Sequence, residues 1–108
     1  MPAEDTKRSL HRLLVDRIRQ GPGQAPAAQR RDAFDNAELP EPIRELLDKV
    51  ATRSAQVTDA DFTAAMQTGF TDDQLFELVI CAAVGESTRR YEAGLAALAE
   101  ATGDTEAR

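Results

Sequence analysis

The chain has 108 residues, enough for one domain, and its single Cys and single His exclude a disulfide framework, a Cys/His zinc site and a CxxC redox pair. Apolar residues make up 42% and aromatics 5%, so the core is built from small and aliphatic side chains, which suits packed helices better than β-strands. The net charge of −6 is unevenly placed: residues 1–31 hold seven Lys/Arg against three acids, a balance of +4, whereas the rest holds six against sixteen, a balance of −10.

That acidic body attracts neither nucleic acid nor anionic lipid. For the basic N-terminal segment three readings are open, an anion, another subunit's acidic face or no partner, and self-contact is favoured because opposite fields within one chain bring its own parts together. No apolar run approaches the ~18 residues of a membrane span. Met1-Pro2-Ala3-Glu4-Asp5 lacks the apolar run of a signal peptide, so the expected location is the cytoplasm.

A first helix is predicted from a cap at Asp5 or Thr6. Leu10, Leu13, Leu14 and Ile18 recur at steps of three and four on one face, and Arg8, Arg12, Arg17 and Arg19 fall largely off it. Gly21-Pro22-Gly23 ends it. Pro26 suits the first turn of a short helix reaching about Asn36. Leu39-Pro40-Glu41-Pro42 is an extended break, because the residue before a proline is driven out of the helical region. A third helix is predicted from about Glu41 to Ala55, with the stripe Ile43, Leu46, Leu47, Val50.

Thr58-Asp59-Ala60-Asp61 is a capping signal for a short helix bearing Phe62, Ala65 and Met66 that stops at Gly69. Thr71 with Gln74 is a capping box. It opens the longest helix, predicted over 73–101 and ended by Gly103. The first half of that helix, Leu75 to Val84, is apolar nearly all round apart from Glu77. A helix apolar on all sides is buried on all sides, and in so short a chain this predicts a subunit interface. The pattern holds no strand signal.

The run Val57 to Leu78 resembles the carboxymuconolactone decarboxylase and alkylhydroperoxidase D (AhpD)-like superfamily. The likeness rests on order: a short helix ending at Gly69, the capped turn Thr71-Asp72-Asp73-Gln74, then Glu77-Leu78-Val79 and Ala82-Ala83. It covers roughly Leu39 to Leu98. It implies an all-α fold of about five helices around a helical hairpin, and a homo-oligomer of trimer or hexamer type. One domain would then comprise a basic N-terminal helical extension (1–38), an AhpD-like core (39–103) and a flexible tail (104–108). The family's peroxidase branch uses Cys-x-x-Cys-x-x-x-His on the helix before the Gly. Those positions fall near Ser54, Val57 and Asp61, none of them Cys or His, so the resemblance does not carry thiol peroxidase activity. It implies no cofactor and no metal.

Four residues carry candidate chemistry, each beside a plainer reading. Glu77 is the one acid in the apolar half of the long helix. It is a general base of raised pKa, or a packing carboxylate paired with an Arg such as Arg44, Arg53 or Arg90. Arg90 and Tyr91, with Arg89 and Glu86 beside them, either hold a small carboxylate or form a solvated or intersubunit salt-bridge face. Cys81 lies one turn from Glu77. It is a redox thiol, or a small buried residue, since a neighbouring carboxylate raises a thiol's pKa. His11 is expected at the surface or an edge. Thr58-Asp59-Ala60-Asp61 lacks the Gly and Glu of a calcium loop. The preferred reading is a homo-oligomeric structural, regulatory or partner-binding protein. The alternative is a cofactor-independent enzyme on a small carboxylate, lactone or carbonyl compound with Glu77 as base. The two differ in whether Glu77 and an Arg converge on a closed pocket.

Overall fold

In the computed structural model, residues 3–37 and 39–103 are described, with side chains from Thr6 onward. The fold is all-α: α1 (Ala3–Gln20), α2 (Ala27–Phe34), α3 (Ile43–Thr52), α4 (Asp59–Met66) and α5 (Asp72–Thr102), with a single 3₁₀ turn, Ser54–Gln56, between α3 and α4. No strand occurs among the described residues, and none of their helices is long and apolar enough to cross a membrane. The expected tail, 104–108, lies outside the described residues.

The predicted punctuation explains most boundaries. Thr58 caps α4, accepting from the Asp61 amide at 3.3 Å while Asp61 takes the Thr58 amide at 2.9 Å, a full capping box. Thr71 and Gln74 repeat the exchange at α5, at 3.1 and 2.9 Å. Gly103 ends α5 with φ 76°, in the left-handed conformation glycine adopts without a Cβ clash. The boundaries of four helices differ from expectation, and α4, expected to stop at Gly69, ends at Met66. Helix α1 begins at Ala3, ahead of Thr6. Pro26 stands at the cap position of α2 and not inside it, and α2 ends at Phe34. Helix α3 is shorter at both ends: Pro42 fills the cap position, the Glu41 side chain serves the Glu45 amide at 3.1 Å, and Arg53 leaves helical geometry at φ −147°.

Helix α5 is the axis of the molecule. Its inner positions Leu75, Leu78, Cys81 and Ala82 are buried against Ala33 and Phe34 of α2, Ile43, Leu46 and Leu47 of α3, and Ala65 of α4. Residues 25–34, from the basic N-terminal segment, thus supply Ala25, Ala33 and Phe34 to the core. The crossing of α2 over α5 is close. Gly85 sits under the end of α2, where an added Cβ would clash with the Phe34 carbonyl oxygen. The Arg89 guanidinium then donates to that same oxygen at 2.7 Å. Lys49 joins α3 to α4 through Asp61 at 3.1 Å.

Helix α1 lies antiparallel along α5, because Ile18 is level with Cys81 and His11 is level with Thr88. Its seam is His11, Val15 and Ile18; Leu10, Leu13 and Leu14 stay exposed at 62%, 66% and 49%. The apolar stripe read from the sequence therefore does not face the core, apart from Ile18. Tethers at the end of the helix set this rotation: Arg30, itself buried, donates from Nη1 to the Ile18 carbonyl and from Nε to that of Ala25, both at 3.1 Å.

The expectation for the first half of α5 is also corrected. One chain encloses most of it, since α1, α2, α3 and α4 all reach it. The strip left open is narrow and contains Phe76 and Ala83.

Candidate functional site

Glu77 is a clamp on the α1–α2 connection. Its Oε2 accepts from the Gln24 amide at 2.7 Å and its Oε1 from the Ala25 amide at 2.8 Å. Gly23 lies against it, and a Cβ there would come within 2.8 Å of Oε1. The expected arginine partners are elsewhere: Arg90 pairs with Glu86 at 2.9 Å and Arg53 with Asp48 at 3.3 Å. The carboxylate is satisfied by two backbone donors, a pairing with no signature in side-chain sequence.

Cys81 is buried beside Ile18, its thiol 3.7 Å from that residue's carbonyl. Burial pushes the thiol up to about 11; Arg30 opposes the rise and Glu77 adds to it. At neutral pH it is a protonated, small apolar group.

Arg90 and Tyr91 point to different places. Arg90 lies on an exposed side with Glu86, Ser87 and Ser54. Hydrogen bonds from Arg90 and then from Arg89 hold the Glu86 carboxyl below the usual carboxylate range. Tyr91 faces α1, its ring centroid 5.7 Å from that of His11. Glu77 and Tyr91 are separated by roughly 21 Å along the α5 axis at ~1.5 Å per residue. The structure therefore brings Glu77 and Cys81 together, and keeps both away from Arg90 and Tyr91. A shallow hollow does contain Glu77 with Arg17, Arg30, Leu14 and Ile80, but Arg30 is already committed to carbonyl oxygens.

What α1 and α5 build together has two edges. At ~100° per residue, Leu10, Leu13 and Leu14 fall on one side of the α1 seam and Arg8, Arg12 and Arg19 on the other. The first edge continues onto α5 through Ile80, beside Leu14, and Phe76 and Leu98 are exposed at 64% and 61%. The second edge borders a cleft of about 490 Å³. Arg8, Arg12 and Arg19 line it from α1, Thr88, Arg89, Glu92 and Leu95 from α5, and Phe34 and Asp35 close it from α2. Four arginines against two acids make it net positive in a chain of net charge −6.

The cleft is organised from beneath. Thr88 gives its hydroxyl proton to the Val84 carbonyl at 2.7 Å, so it accepts from His11 Nε2 at 3.0 Å. The Arg19 guanidinium lies 4.9 Å from the centre of the Phe34 ring, a cation–π contact. Of these residues, sequence reasoning singled out Arg89 and Tyr91. It placed His11 at the surface or an edge, and Arg8, Arg12 and Arg19 off the apolar stripe of α1, without assigning them to a site. The one-turn spacing of Arg8 and Arg12 was the available signal, but the other wall comes from residues near position 90, and nothing in the sequence pairs the two. No family model, curated protein or solved structure matches the chain.

Proposed function

We propose that the chain is a homo-oligomeric structural, regulatory or partner-binding subunit without peroxidase activity, acting in the cytoplasm, and that copies meet through the apolar edge of α1 and α5. The observation that carries this reading is the exposure of Leu10, Leu13 and Leu14 on one side of α1, where Ile80 of α5 lies beside Leu14. Large apolar side chains scattered singly need no explanation, but contiguous ones mark interaction surfaces. A second copy is the favoured occupant on grounds of charge. The edge is flanked by the basic segment of α1, and the remainder of the chain is strongly acidic. A self-complementary contact sets basic α1 of each copy against the acidic body of the other.

The order of elements that underlies the AhpD-like resemblance, a short helix, the Gly69 turn and a capped long helix, supports the same reading, since that family implies rings of subunits. The enzymatic alternative has less support, because both oxygens of Glu77 are occupied by backbone amides and Arg90 is paired with Glu86. Sedimentation velocity over a micromolar concentration range tests the proposal. A dimer or larger species is expected, and a folded monomer throughout overturns it.

A further inference from the structure

We propose that the basic cleft between α1 and α5 binds a small organic acid, with one anionic head and an apolar or aromatic body. The inference goes beyond self-association and uses the opposite edge of the helix pair. The head is specified by arginines that the protein leaves available. Among the described residues Arg8 and Arg12 form no ion pair. Arg19 is held in place by the Phe34 ring, yet its Nε is buried without a hydrogen-bond partner. Arg8, Arg12 and Arg19 line the same cleft, where one ligand can meet them together. A guanidinium is the side chain that takes a carboxylate or phosphate with two parallel bonds.

The body is specified by the other lining. Val15, Leu95 and Phe34 offer apolar surface beside the arginines. About 490 Å³ falls within the range of small-molecule pockets, roughly 300–1,000 Å³. Asp35 and Glu92 also line the cleft, so its net charge is only +2. That pair of acids repels a polyanion such as nucleic acid while leaving one head group well served. The position is defined rather than loose, because the His11–Thr88 hydrogen bond and the Arg89–Phe34 hydrogen bond fix both walls.

The test is titration of the full chain, followed by amide chemical shifts, with benzoate, phenyl phosphate, inorganic phosphate and benzyl alcohol. Saturable shifts centred on His11, Thr88 and Leu95 are expected with benzoate or phenyl phosphate, and the tighter of the two identifies the head group. Inorganic phosphate is expected to bind more weakly, and benzyl alcohol not at all. Arg12→Gln, at an exposed position, is expected to weaken binding roughly tenfold, the loss of one charge-assisted hydrogen bond. Arg12→Lys should recover part of it, and Arg53→Gln, remote from the cleft, should change nothing. The proposal is overturned if neither aromatic anion produces saturable shifts at these residues. It is equally overturned if inorganic phosphate binds as tightly as benzoate, or if Arg12→Gln binds like the unaltered chain.

Discussion

Cys81 shows how position decides the chemistry of a residue that composition alone makes conspicuous. A lone thiol one turn from a carboxylate invites a redox reading, but burial opposes the thiolate and raises its pKa to about 11. The sign is that of an acid kept neutral: the thiolate is scarce at pH 7 and grows only as pH rises toward 11. Compared with an ordinary exposed cysteine near 8.5, ionisation alone lowers the reactive fraction by roughly a hundredfold or more. Labelling with a maleimide at pH 7 should therefore be slow in the folded chain and fast in denaturant. Equal rates in the two states would show that Cys81 is accessible. Glu77 makes the converse point. The sequence marked it as unusual, an acid in an apolar helix, and it is unusual, but its partners are the amides of Gln24 and Ala25. Side-chain pattern identifies a buried carboxylate that needs partners. It does not identify backbone donors brought in from fifty residues away.

Among the elements, those whose limits are written in local chemistry were legible. The boxes Thr58–Asp61 and Thr71–Gln74 and the stop at Gly103 are short-range devices, and α4 and α5 follow from them. The rotation of α1 was not legible, because it depends on Arg30 reaching back to Ile18 and on a connection clamped by Glu77. Nor was the cleft, whose two walls meet through a bond between His11 and Thr88. The crossing of α2 on α5 yields a sharp expectation. Gly85 leaves no room for a Cβ beneath the Phe34 carbonyl, and this oxygen cannot retreat without disturbing its bond from Arg89. Gly85→Ala should cost about 3 kcal/mol or more through overpacking, against a helix-propensity gain of at most ~1 kcal/mol. The melting temperature is then expected to fall by roughly 10 °C or beyond. A variant melting with the unaltered chain would place α2 differently from this structure.

For the molecule as a whole, shape and burial bear on the proposal that copies associate. The radius of gyration is 16.3 Å, whereas a compact chain of this length is expected near ~13 Å. The long dimension, 52 Å, is set by α5, whose 31 residues span roughly 46 Å. The core clusters around its first half. From Arg90 to Gly103 only Leu95 and Ala99 are even partly buried. The second half of α5 and the start of α1 thus form a two-helix arm, and two helices alone enclose no core. Arms from two copies laid together make four helices, which can enclose a core. If assembly completes the fold in this way, stability depends on protein concentration, because only the associated state buries the apolar edge. The melting temperature of the unaltered chain should rise as concentration increases. Leu10→Glu combined with Leu98→Glu, both at exposed positions, should abolish that dependence and yield a folded monomer melting at the dilute-limit temperature. Helical circular dichroism separates this outcome from unfolding. A melting temperature indifferent to concentration, in the unaltered chain as in the double variant, would mean that the arm stands alone and that its leucines serve something other than a second copy.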